Sequence, residues 1–159
     1  MNDITARLSN KLLAEGVKTY EFFQMLKPEQ WQIPVYSEEA HWTVRELLAH
    51  FVYTEDSLGK LVDNILEGGP GAPDSFDIDR HNERGIAALQ SRTTAELLPQ
   101  FKILRQGMAD KVFHMDDTDL TRIGRHPFLG VVALEVIIKM VYRHNQIHLR
   151  DARRAISLE

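Results

Sequence analysis

His144-Asn145-Gln146-Ile147-His148 lies inside a helix-compatible run over residues 129–156 of a 159-residue chain. An α-helix advances about 100° per residue, so positions i and i+4 stand about 40° apart, one turn along the same face. Both imidazoles of this stretch therefore point the same way. Two neutral imidazoles one turn apart can grip one divalent metal. The 7 histidines of the chain give roughly 0.3 such pairs by chance, so the spacing alone does not decide the reading. The face does. On a helical wheel centred on His144, Ile137, Val141, His148 and Ala155 fall within about 60°. Glu135, Lys139, Gln146, Arg150 and Arg153 fall on the far side. Both histidines thus lie on the apolar stripe. Interior imidazoles need partners for their nitrogens, and two side by side need a shared one. A metal is the simplest.

Working outward from this stretch, almost every long segment also reads as helix, and none alternates cleanly as a half-exposed strand would. The first helix is expected over residues 3–26, capped by Asn2 or Asp3 and striped by Ile4, Leu8, Leu12, Tyr20, Phe23 and Leu26. Residues 28–42 read as an ordered loop whose rings Trp31, Tyr36 and Trp42 cap the core rather than bind ligand. Thr43-Val44-Arg45-Glu46 is a capping box and opens the second helix, which runs to Glu67. Its stripe of Leu47, Leu58, Leu61 and Ile65 also carries His50, with Thr54 and Ser57 within about 40° of it. That polar group suggests a pocket. The alternative is that each hydroxyl bonds back to its own helix.

Residues 68–73, Gly-Gly-Pro-Gly-Ala-Pro, stop this helix. They lack the Lys-Ser/Thr ending of a phosphate loop and read as a flexible crossover. A shorter, more polar helix over residues 76–89 carries His81 and Asn82. Thr93-Thr94-Ala95-Glu96 is a second capping box and opens a helix to His114. Pro99 requires that helix to begin late or kink. Residues 115–128 hold Asp116, Asp117 and Asp119 without calcium-loop spacing and read as a solvated turn. Arg150, Arg153 and Arg154 complement the C-terminal dipole of the last helix, a reading favoured over nucleic-acid contact.

The expected fold is all-α: a four-helix bundle with one additional short helix, as a single domain over residues 1–159. A net charge of −4 argues against bulk binding to nucleic acid. No apolar run reaches 18 residues, so no membrane helix is expected, and Met1-Asn2-Asp3-Ile4 does not open like a signal peptide. A cytoplasmic location is expected. With 0 cysteines the chain has no disulfide, no thiolate nucleophile and no cysteine-type zinc site. Any thiol chemistry must use a thiol brought from outside.

Catalytic zinc-type sites use three protein ligands and leave a position open. His144 and His148 supply two, and His50, inward-facing on the second helix, is the natural third. His41, His114 and His126 sit in or beside loops, and His81 lies on the more polar helix. Thr54, Ser57, Asn82 and Asn145 are candidate pocket-lining residues, and no general base is identifiable. The opposing reading keeps all three histidines as hydrogen-bonded core residues.

The segment Trp42-Thr-Val-Arg-Glu-Leu-Leu-Ala-His50, followed far downstream by His-x-x-x-His on the final helix, resembles the DinB/YfiT-like superfamily of proposed metalloenzymes. It is also similar to the N-terminal domain of mycothiol-dependent maleylpyruvate isomerase. The resemblance implies a four-helix bundle holding divalent zinc or nickel through His50, His144 and His148. It implies a small-molecule substrate, a homodimer and, in several relatives, activation of a low-molecular-weight thiol. Three neutral imidazoles would leave such a metal its full charge, enough to acidify a water or thiol. The expected function is a thiol-dependent S-transferase or a hydrolase. The alternative is a non-catalytic metal-binding or stress-related bundle.

Overall fold

The computed structural model describes residues 3–37 and 41–158; the suggested cap at Asn2 lies outside the described residues. Four long helices carry the fold: α1 (Asp3–Gln24), α2 (Val44–Leu66), α4 (Thr94–Phe113) and α6 (Leu134–Ser157). Between them come α3 (Ile78–Ala88), α5 (Asp117–Leu120) and a small antiparallel hairpin of β1 (Ile123–His126) and β2 (Gly130–Ala133). A 3-10 turn at Pro28–Gln32 follows α1. Helix α4 packs against α1 and α2, and α6 closes against the same two. The bundle is therefore not a simple up-and-down succession of sequence neighbours.

Both sequence-legible capping boxes form. The Thr43 hydroxyl accepts from the Glu46 amide while the Glu46 carboxylate accepts from the Thr43 amide, and Thr93 and Glu96 do the same for α4. Helix α4 begins at Thr94 despite Pro99, so the late start is excluded and the proline sits inside the helix. Asp116 caps α5 through the Asp119 amide, which gives the acidic turn a structural role.

Two expectations are corrected here. The last helix starts at Leu134 rather than Leu129, because residues 123–133 turn back as the hairpin. Its three-residue loop, residues 127–129, is followed by Gly130 at φ 78°, the left-handed residue that follows the turn in such hairpins. The crossover at residues 68–73 is tied down: the Arg125 amide donates to the Pro70 carbonyl and the Ala72 amide to the Arg125 carbonyl, both at 2.8 Å. Gly71, at φ 88°, lies so close to the Arg125 backbone that a side chain there would collide with it.

The apolar interior comes in two halves. One gathers Leu12, Val62, Ile65, Met108, Val112, Ile137 and Val141. The other gathers Phe23, Leu47, Phe51, Leu97, Phe101, Leu149 and Ala152. Each fully buried side chain of this kind stabilises the fold by about 1.5–3 kcal/mol relative to exposure. On α2, α4 and α6 the two halves are separated by polar residues: Glu55, Arg105 and His144 with Asn145. The candidate site adjoins this polar layer, with His50 set between Ala49 and Phe51 of the second half.

Candidate metal centre

His50 projects from α2 and is only 4% exposed; His144 and His148, one turn apart on α6, are half-buried. Their Nε2 atoms converge. His50 Nε2 lies 2.9 Å from His144 Nε2, and His148 Nε2 lies 3.1 Å from it. One nitrogen from each of the three falls within 4.8 Å of the others. Nitrogens bound to one cation at about 2.0–2.1 Å, with angles between about 90° and 109°, stand roughly 2.8–3.4 Å apart. Both His144 separations fall in that range.

The charge state fits as well. Burial pushes the His50 imidazolium well below its ordinary pKa, reinforced by the charges of His144, His148 and His81. Burial, then the charges of His148, His126 and Arg105, lowers His144 to about 3. Burial lowers His148 to about 4, against the opposing pull of Asp151. All three are neutral near pH 7, the form that ligates a metal. Three converging imidazole nitrogens with no proton to spare suit a divalent cation, so the residues present fit the group.

The family model described as the DinB superfamily matches residues 13–152. The chain belongs to the DinB superfamily. Among solved structures it is similar to YfiT from Bacillus subtilis, described as a probable metal-dependent hydrolase with an unusual four-helix bundle topology. The TM-score is 0.79 at 15% identity, over 98% of this chain and 87% of that one. At that identity the likeness speaks to the fold. No curated protein matches.

Around the triad of this DinB superfamily chain stands a set of aromatic and polar residues. The Trp42 ring lies 4.4 Å from the His50 ring, and Phe51 borders both His144 and His148. Tyr36 donates its hydroxyl to Asp151 Oδ2 at 2.6 Å and stands 2.7 Å from His148 Nδ1. Backbone bonds from the Val35 and Tyr36 amides to the Trp42 carbonyl hold that loop over the site. Tyr53 donates to Asn82 Oδ1 at 3.1 Å and stands 2.6 Å from His50 Nδ1. Burial, with the Asp151 contact added for Tyr36, raises both phenols above their ordinary pKa, so neither ionises near neutrality.

The sequence-predicted residues divide. Thr54 Oγ1 lies 3.3 Å from His50 Nδ1, and Asn82 reaches the triad through Tyr53. Ser57 Oγ lies 3.0 Å from His81 Nε2, on the seam between α2 and α3. Asn145 instead faces the core, where its Oδ1 accepts from Arg105 Nη2 at 2.7 Å. His126 and His114 are not in the converging cluster: His126 accepts from two hairpin-loop amides and His114 sits at the exposed end of α4. Trp31, stacked on Phe23, caps the core as expected, whereas Tyr36 reaches the site. Sequence reading gave Tyr36 a core-capping role and did not single out Tyr53 or Asp151. For two of them a signal existed: Tyr53 follows His50 by three residues and Asp151 follows His148 by three, the spacing that places helical side chains together.

Proposed function

We propose that this chain is a metal-dependent enzyme that activates a nucleophile at a divalent cation, zinc or nickel, held by His50, His144 and His148. The observation that carries the reading is the convergence of three neutral Nε2 atoms with no fourth His, Asp or Glu in the cluster among the described residues. A three-ligand set leaves coordination positions open, as catalytic sites do and closed structural sites do not. A cation held there supplies Lewis acidity, lowering the pKa of a water or thiol and polarising an electrophile.

The chain's own residues bind the cation through the three imidazoles and shield it on one side with Trp42 and Phe51. Hydrolysis is the first reading, in keeping with the description of YfiT. Transfer to a low-molecular-weight thiol is the second: with 0 cysteines, the chain would take that thiol from solution. A cytoplasmic homodimer without nucleic-acid or membrane partners completes the proposal. The net charge of −4 supports the first exclusion, and no described helix is long and apolar enough to cross a membrane. Exposed Ile123, Phe128, Val131 and Val136 give a second copy an apolar surface to cover.

Elemental analysis of untagged protein tests the core of this reading. About one equivalent of zinc or nickel is expected in the parent, and little in His50→Ala and His144→Ala. A metal-loaded parent is then screened against esters, amides and electrophiles with and without added thiol. No metal after reconstitution with zinc or nickel would return the histidines to the role of core residues.

A further inference from the structure

We propose that Tyr36 and Tyr53 are positioning residues that lock His148 and His50 as Nδ1–H tautomers, turning both Nε2 lone pairs toward one divalent cation. The inference rests on the metal reading above and adds the device that prepares the ligands.

Counting protons carries it. The Tyr36 oxygen stands between Asp151 Oδ2 at 2.6 Å and His148 Nδ1 at 2.7 Å. An ionised carboxylate offers lone pairs only, so the single phenolic proton goes to Asp151. The phenolic oxygen can then only accept from the imidazole, which makes His148 Nδ1 the donor. A neutral imidazole carries one N–H, so Nε2 of His148 is bare. Tyr53 repeats the logic. Its proton goes to the Asn82 carboxamide oxygen at 3.1 Å, which leaves its own oxygen to accept from His50 Nδ1 at 2.6 Å. Thr54 Oγ1, at 3.3 Å, offers that N–H a second acceptor. Nε2 of His50 is therefore bare too.

The two bare nitrogens flank His144 Nε2 at 2.9 and 3.1 Å. That atom holds at most one proton and cannot satisfy both lone pairs. Hydrogen bonding within the triad is thus always one donor short, in a place where an unsatisfied polar atom is costly. A cation satisfies all three at once. The histidine partners of metal sites commonly set tautomer and basicity in this manner, and their loss typically costs 10–100-fold in affinity. The two arms are unequal. One ends on the carboxylate of Asp151 and the other on the neutral amide of Asn82, so the His148 arm delivers the more strongly polarised ligand.

The test uses the full chain with Tyr36→Phe, Tyr53→Phe and Asp151→Asn, each checked by thermal melting. Long-range proton–nitrogen NMR correlations of the metal-free protein read the tautomers directly. The parent is expected to show Nδ1–H at His50 and His148, and Tyr36→Phe a mixture at His148 alone. Competition titration with Zn(II) is expected to show a loss of about tenfold or more in Tyr36→Phe and a smaller loss in Tyr53→Phe. Should Tyr36→Phe melt early, Asp151→Asn carries the test: it keeps the shape and is expected to weaken zinc binding. An Nε2–H tautomer at His148 in the metal-free parent, or zinc affinities equal to the parent's in Tyr36→Phe and Asp151→Asn, would overturn the proposal. A parent that binds no zinc defeats the metal reading instead, while the NMR result still decides the tautomers.

Discussion

Arg105 meets Glu55 in a two-point contact at the centre of the bundle, with Nε donating to Oε2 at 2.7 Å and Nη2 to Oε1 at 3.0 Å. The guanidinium also donates to the Leu12 carbonyl at 3.2 Å and to Asn145 Oδ1 at 2.7 Å. Leu12 belongs to α1, Glu55 to α2, Arg105 to α4 and Asn145 to α6. One side chain therefore ties all four long helices together, and its Asn145 contact lies next to His144 in the chain. Arg105, Glu55 and Asn145 are 2%, 4% and 3% exposed.

Breaking this pair from one side should be severe, because the remaining charge stays buried without its partner. Glu55→Ala is expected to lower the unfolding free energy by about 3–5 kcal/mol, read from urea denaturation. The double variant Glu55→Leu with Arg105→Met removes both charges and should lose less than Glu55→Ala alone. A double variant less stable than the single would show that the network's contacts, rather than the stranded charge, set the cost.

His148→Ala should lower zinc affinity by at least an order of magnitude, since it removes one of three converging nitrogens. His114→Ala is the matched control. It removes an exposed ring whose Nδ1 lies 2.7 Å from the Asp110 carbonyl, away from the triad. Equal zinc content in the two variants, measured on identically reconstituted protein, would take His148 out of the ligand set.

The bundle and the inward faces of the three histidines were legible because both rest on local periodicity, while the pairing of His50 with His144 across 94 residues came from the family resemblance. A stripe every three or four residues, two capping boxes and a His-x-x-x-His spacing are properties of single helices, and each survives folding unchanged. What was not legible depends on distant partners. Tyr36 meets His148 across 112 residues, and Arg105 meets Glu55 across 50. Nothing local announces either contact. The hairpin escaped notice because its strands are 4 residues each, too short for alternation to show against the apolar run of α6. Asn145 misled for a related reason: its neighbours His144 and His148 mark the site, but it faces a different side of α6.

Helix α3 contains no buried residue, yet it supplies Asn82 to Tyr53. Gly85 makes that docking possible. A Cβ there would come within 2.5 Å of the Tyr53 ring. Gly→Ala inside a helix ordinarily stabilises by about 1 kcal/mol. Gly85→Ala should do the reverse, costing about 1–3 kcal/mol as α3 and Tyr53 move apart. Gly107→Ala on α4, where a Cβ meets nothing within 4 Å, should show the ordinary gain. Urea midpoints of the two variants with the same sign would mean that α3 yields without strain.

Acid should loosen the hairpin through His126. Its Nδ1 accepts from the amides of Phe128 at 3.0 Å and Leu129 at 3.1 Å, so protonation there would replace an acceptor with a donor facing two donors. Burial lowers its pKa below the ordinary value of 6.5. The unfolded chain thus takes up this proton first as pH falls, and the side that binds more protons gains. At pH 7.5 neither state is protonated and His126 contributes no pH dependence. Stability is lost as pH drops below about 6.5 toward the lowered folded value. His126→Asn keeps a carboxamide acceptor for the loop amides and removes the titration. Its urea midpoint should fall less than the parent's between pH 7.5 and pH 5. Parallel curves for the two proteins would mean that the hairpin accommodates a charged His126, and the acid sensitivity would then belong to other groups.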